Sequence, residues 1–128
     1  MSEHLKASQK YREHAILSAP RERIISYLYQ GLERFLQQSI EALERREPAR
    51  AGESLGKAQG ILWELLGSLN MKEGGVVAEN LAKLYRFMID RLLDANLRQD
   101  PKPLEGCLQV LASLQEGWDG LLEKRSEA

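Results

Sequence analysis

The sequence predicts an all-α protein, an antiparallel up-down-up-down four-helix bundle with an N-terminal arm. Three observations carry this. Apolar residues recur every three to four positions through four long segments. Breaks rich in proline and glycine separate those segments, at Glu47-Pro48, at NMKEGG over residues 70–75, and at Asp100-Pro101-Lys102-Pro103. Nothing alternates with period two over a useful length, so no sheet is expected. Short turns between helices of about 20 residues favour antiparallel neighbours.

Residues 1–19 are polar without a sustained period and read as an arm, flexible or capping the bundle; residues 20–128 form the bundle. Ser18-Ala19-Pro20-Arg21-Glu22 reads as a helix start. Ser18 can cap, Pro20 suits the first turn, and Glu22 complements the positive end of the helix dipole. The first helix is expected over residues 20–46, with Ile25, Leu28, Leu32, Phe35, Leu36, Ser39 and Leu43 on one face. The second is expected over residues 49–69, aligning Leu55, Ala58, Leu62, Leu65, Leu66 and Leu69. Adjacent glycines at 74 and 75 close the turn before a third helix over residues 76–98. The fourth is expected over residues 103–124, aligning Leu104, Leu108, Leu111, Leu114, Trp118 and Leu122.

Composition narrows the function classes. The length of 128 residues is that of one domain, and 43% apolar residues suffice for a core. Net charge is −1, without the basic excess of a nucleic-acid binder or of a protein drawn to anionic lipid. No segment approaches the roughly 18 apolar residues of a membrane span. The start, MSEHLKASQKYREH, has no apolar signal region, and the single cysteine, Cys107, allows no internal disulfide. Together these point to the cytoplasm.

No catalytic or metal constellation emerges. His4 and His14 both lie in the arm, about 90 residues or more from Cys107, and no zinc-ligand spacing is present. A di-iron bundle needs Glu-x-x-His on two helices, and neither histidine falls on a bundle helix. The pairs Glu41/Glu44 and Asp90/Asp94 alternate with Arg45, Arg46, Arg86 and Arg91, as solvated helix faces do. The Gly74-Gly75 turn lacks the length and the lysine of a phosphate-cradling loop. Cys107 lies near the core stripe of its helix and reads as a buried thiol. No cofactor and no enzymatic role are expected.

The informative surface is apolar. On the third helix Val77, Leu81, Leu84, Met88, Leu92 and Ala95 fall within about 80° of one another, the obvious core stripe. Tyr85, Ile89 and Leu93, with Ala82 between the first two, form a second stripe beside it. The two together span roughly 180°, against the roughly 100° typical of a surface helix. Either the helix is packed on two sides, or the second stripe lines a groove for a partner helix. Trp63 lies about 100° from Leu62, at the edge of the second helix's apolar face, where it either shields the core or anchors a partner. Gly52, Gly56 and Gly60 recur every four residues, each weakening the helix by roughly 1 kcal/mol relative to alanine. Close approach of another helix is one explanation, tolerance in a marginal helix the other. In the arm, Tyr11, Ile16 and Leu17 are apolar residues on a polar segment, placed to cap one end of the bundle.

One segment resembles a known signature. Gly74-Gly75 is followed by Ala78-Glu79-Asn80-Leu81-Ala82-Lys83-Leu84-Tyr85-Arg86-Phe87-Met88 and then by Arg91-Leu92-Leu93-Asp94-Ala95-Asn96. This is similar to the GG turn, A-x-N-L-x-x-L-Y-x-[YF]-M pattern and R-L-x-x-A-N pattern of the flagellin export chaperone family FliS. Ser18-Ala19-Pro20 with Leu28-Tyr29-Gln30-Gly31, Lys57-Ala58 with Ile61-Leu62 and Glu64-Leu65, and Trp118 also resemble that family. Gln30 stands where the family usually carries an acid. The resemblance covers residues 11–122 and implies a cytosolic chaperone. Such a protein binds the disordered C-terminal segment of flagellin, prevents premature polymerisation and delivers it to the flagellar type III export apparatus. It further implies that the arm covers part of the binding surface until the substrate displaces it. A flagellar regulator is a second partner to consider, as is self-association through an uncovered groove. On this reading Tyr11, Ile16, Leu17, Trp63, Ala82, Tyr85, Ile89 and Leu93 are the candidate partner-binding residues.

Overall fold

A computed structural model describes the backbone of residues 3–127 and the side chains of residues 22–124. The chain forms four helices: α1 over Glu3–Glu44, α2 over Pro48–Gly67, α3 over Met71–Arg98 and α4 over Lys102–Glu127. No strand occurs among the described residues. Each helix packs on the two beside it in ring order, α1 on α2, α2 on α3, α3 on α4, and α4 back on α1. Contacts fix the antiparallel sense. Ser39 Oγ donates to Ser54 Oγ at 2.8 Å, while Ile61 lies against Gly31 further back along α1. Trp118 Nε1 donates to Ser26 Oγ at 3.0 Å and Gln115 Nε2 to Glu33 Oε2 at 3.2 Å, so α4 descends as α1 ascends.

The breaks fall where expected, and their chemistry explains them. α1 ends in a Schellman arrangement: Glu47 N–H reaches the Ala42 carbonyl at 2.9 Å and Arg46 N–H the Leu43 carbonyl at 3.2 Å. Arg46 itself sits in the left-handed region at φ 56°. α3 ends the same way, with Gln99 at φ 52° and Asp100 N–H on the Ala95 carbonyl at 3.1 Å. Pro48 supplies the first turn of α2, needing no donor there. Asp100 Oδ1 accepts from Lys102 N–H at the start of α4.

Two boundaries differ from expectation. α1 begins at Glu3 rather than at residue 20. Pro20 then falls inside the helix, where it removes one donor and crowds the carbonyl four residues back. α3 begins at Met71, five residues early. Asn70, not recognised as a cap in the sequence, accepts from Glu73 N–H through Oδ1 at 3.1 Å and opens one helical turn. Gly75 then breaks it at φ 52°, ψ −128° before the long helix. The glycine pair has two separate causes. A Cβ on Gly74 would lie 2.6 Å from the Ala78 Cβ, and Gly75 holds a conformation that L residues rarely adopt.

The core runs along the bundle axis. Leu32, Leu36, Leu62, Leu65, Met88, Leu92, Leu104 and Leu111 are fully buried, with Ala58, Ala95 and Cys107 filling narrow places between them. Ser39 and Ser54 are the buried polar side chains among the described residues; their hydroxyl oxygens lie 2.8 Å apart, and each has a carbonyl one turn back within reach, those of Phe35 and Arg50. Across the middle, Tyr29 of α1 meets Tyr85 of α3, hydroxyl to hydroxyl at 2.7 Å. This bridges a diagonal pair of helices whose backbones do not otherwise approach. Burial holds both phenols above their usual pKa range.

Candidate functional site

The antiparallel order gives the bundle two unlike ends. Connections 45–47 and 99–101 lie together at one end. Connection 68–70 lies at the other, with the middle of α1 and the last turns of α4. Of the exposed large apolar side chains, Ile24, Tyr27, Met71, Val76, Val77 and Leu121 lie toward the second end, Trp63 lies on α2, Phe87 and Leu93 lie along α3, and Leu97, 84% exposed, lies beside connection 99–101. Val77 is 68% exposed. Behind those of the second end, Leu28, Leu81, Leu114 and Trp118 are half-buried and pack on the core.

This departs from the expected core stripe. Met88, Leu92 and Ala95 are buried as predicted, but Leu81 and Leu84 are only half-buried and Val77 faces solvent. The angular pattern is right; the neighbours run out. This less buried half of the stripe follows directly on the Gly75 break. The second stripe is instead core along most of its length. Ala82, Tyr85 and Ile89 are all 5% exposed or less, so packing on two sides accounts for the breadth of apolar surface there. Leu93, the last member of the stripe, is 46% exposed. Of the other candidate partner residues, Trp63 is 54% exposed, while the side chains of Tyr11, Ile16 and Leu17 lie outside the described residues.

The outer face of α2 is smooth. Ser54, Lys57 and Ile61 turn toward α1, since Ser54 bonds Ser39, Lys57 lies over the Phe35 ring and Ile61 meets Gly31. By the 100° step of the helix, Gly52, Gly56, Gly60, Trp63 and Gly67 then turn away from α1 on the solvent side. A Cβ at any of these four glycines would meet nothing within 4 Å. Close approach within the bundle is therefore not the reason for them.

The third feature is the contact between α3 and α4. Cys107 Sγ lies 3.8 Å from the Met88 carbonyl, which fixes the side of α3 that meets α4. Leu84 and Arg91, spaced seven apart, lie near that side of α3 and are half-buried. Burial pushes the Cys107 thiol up to about 12, against the opposing pull of the Arg91 charge. Such a thiol is a packing group rather than a nucleophile. Among the described residues no helix is long and apolar enough to cross a membrane, and no cluster of acids, histidines and cysteine is placed to hold a metal.

The described residues thus form a four-helix bundle with exposed apolar side chains and no metal-binding cluster. Residues 4–125 match the family of the flagellar protein FliS, and the chain belongs to that family. It is 38% identical over 122 residues to the flagellar secretion chaperone FliSB of Pseudomonas aeruginosa, covering 91% of this chain and 96% of that one. It is 36% identical over 115 residues to the flagellar secretion chaperone FliS of Salmonella typhimurium, covering 89% and 85%. Identity to the FliS of Vibrio cholerae is 33% over 117 residues, covering 90% and 85%. The resemblance read in the sequence is thus upheld, as is the four-helix all-α architecture.

Proposed function

We propose that this protein is a cytosolic export chaperone that binds the disordered C-terminal segment of flagellin, blocks its premature polymerisation and delivers it to the flagellar type III export apparatus. The observation that carries the reading is the apolar open end. Ile24, Val76, Val77 and Leu121 are each exposed toward the same end, on a chain whose relatives are named flagellar secretion chaperones. Contiguous apolar surface on a soluble protein marks a place for a partner. An extended, shallow surface suits a client that orders as it binds, giving up some affinity to ordering while wrapping a large area. Nothing in this role requires catalysis.

Titration calorimetry with the C-terminal segment of flagellin from the same organism tests it. The expected result is saturable one-to-one binding with a negative heat-capacity change, the mark of apolar burial. Absence of binding by the folded protein would overturn the proposal.

A further inference from the structure

Along one side of the bundle, α2 and α3 expose apolar side chains that the core does not use. On α3, Tyr85 points across the core to Tyr29 of α1, and α4 approaches beside Met88, whose carbonyl lies 3.8 Å from Cys107 Sγ. By the 100° step, Leu93 lies about 80° and Leu97 about 120° from Tyr85 on the side away from Met88, the flank next to α2. Both are exposed. On α2, Gly56 and the exposed Trp63 occupy the flank turned away from α1, next to α3. Gly56 leaves bare backbone there, since a Cβ on it would meet nothing within 4 Å. The closed end fixes how the two antiparallel helices align, because Pro48 lines one cavity together with Gln99 and Pro101. Counting equally inward from Pro48 and from Gln99 brings Gln59 level with Met88, and Leu93 within a turn of Gly56. Gln59 is also the midpoint of the stretch from Gly56 to Trp63, and Met88 that of the stretch from Arg86 to Asp90. Arg86 and Asp90 lie on the same flank as Leu93 and Leu97. The ion pairs of α3 are Arg91 with Asp94 and Arg98 with Asp94, which leaves Arg86 and Asp90 exposed and without one among the described residues.

We propose that this face receives a second copy of the chain, related to the first by a two-fold axis that crosses α2 and α3 at the level of Gln59 and Met88. About such an axis, antiparallel helices meet so that each position faces the one equally far beyond the centre on the other copy. Trp63 of each copy then lies on the bare backbone of the other at Gly56, beside its Leu93. Arg86 of each copy meets Asp90 of the other. One fit is of shape and the other of charge, they sit on different helices, and a single axis satisfies both. Trp63 and Leu93 supply the apolar burial, and a tryptophan seated in a notch is the type of contact that dominates interface energy. The exposed charge pairs add little affinity but set the register of the two copies. A net charge of −1 puts little repulsion between them. No client takes part, so the inference stands apart from the chaperone reading.

The test is analytical ultracentrifugation of the full chain alone, from micromolar to hundreds of micromolar, as wild type, Trp63→Ala, Arg86→Glu and Asp90→Arg. Far-UV circular dichroism and urea midpoints confirm that the variants fold. Wild type is expected to pass from monomer to dimer over this range. Trp63→Ala should weaken the dimer by about thirtyfold or more. Arg86→Glu makes the axis wholly acidic and Asp90→Arg makes it wholly basic, so each variant alone should dimerise less than wild type. Mixed in equal amounts, the two should associate with each other more tightly than either does with itself, because each offers the charge that the other lacks. Arg86 and Asp90 are exposed, so the mixing experiment carries the test should Trp63→Ala misfold. A wild-type chain that stays monomeric throughout overturns the proposal. So does a dimer that folded Trp63→Ala leaves unchanged, or a mixture of the two charge variants that associates no better than each alone.

Discussion

The two ends of this bundle are made from the same four helices and do opposite things. At the end where 45–47 and 99–101 meet, Leu43, Ala51, Ala95 and Leu104 are buried, and both helix C-termini are closed by left-handed caps at Arg46 and Gln99. At the other end Ile24, Met71, Val76, Val77 and Leu121 are exposed, and α3 enters through a glycine break. Both ends are apolar in composition. What separates them is whether a second helix is present to receive the side chains. Stability is expected to reside in the closed end and the central layers, while the open end leaves apolar area exposed.

The sharpest way to break that division is to damage the closed end. Leu104→Ala removes a fully buried side chain and should lower the unfolding free energy by about 2–5 kcal/mol, read from urea denaturation. Cys107 gives an independent gauge. Its thiol, raised to about 12 by burial, should resist alkylation at pH 8 in the native protein and react faster in Leu104→Ala, as local opening exposes it. If Leu104→Ala proved as stable as wild type, the closed end would not be where the stability resides.

Next in size is the tyrosine pair. Tyr85→Phe leaves the ring in place and removes one hydroxyl from a buried bond, so a loss of about 1 kcal/mol is expected in the same assay. Tyr29→Phe should behave alike, and the double variant should lose less than the sum, since the second hydroxyl has nothing left to bond. Strict additivity would mean that the pair does not act as a unit.

Much of the fold was legible before any coordinates. Pro48, the NMKEGG turn and Asp100-Pro101 punctuate the chain so strongly that helix number and order follow from them. The broad apolar surface of α3 was also legible as a width; its meaning was not. Helical periodicity assigns a residue to a face but cannot say how far along the helix a neighbour extends. Val77 therefore reads as core by angle and is exposed by position, while Tyr85 and Ile89 read as a possible flank and are core. Asn70 was missed because a cap four residues before two glycines looks like part of a turn. Arg91 was read with Asp94 as part of a charged helix face, and the two do pair, with the Arg91 side chain 40% exposed.

The glycine face of α2 offers a smaller and opposite effect. Gly56 has open space at its Cβ, so Gly56→Ala should raise stability by roughly 0.5–1 kcal/mol through helix propensity alone. The same variant in the flagellin titration decides between the two readings of the stripe. Unchanged affinity marks the glycines as tolerated in a helix whose stability comes from its buried face. A loss of affinity alongside a gain in stability means that the partner's backbone lies against α2 beside Trp63.

Val77→Asp carries the comparison to its limit. The side chain is 68% exposed and no helix covers it, so the carboxylate remains hydrated. A surface substitution of this kind should change stability by about 0.5 kcal/mol or less. Partner binding should suffer far more, because a charge placed in an apolar contact must be desolvated without a counter-charge. Leu92→Ala, buried on the same helix, supplies the mirror image: a large stability loss, with affinity retained by whatever fraction stays folded. Urea midpoints and titrations on the two variants separate the ends of one helix into two jobs. Should Val77→Asp unfold the protein instead, the open end would be contributing to the fold, and its exposed apolar residues would have to be counted as core that this chain covers by some other arrangement.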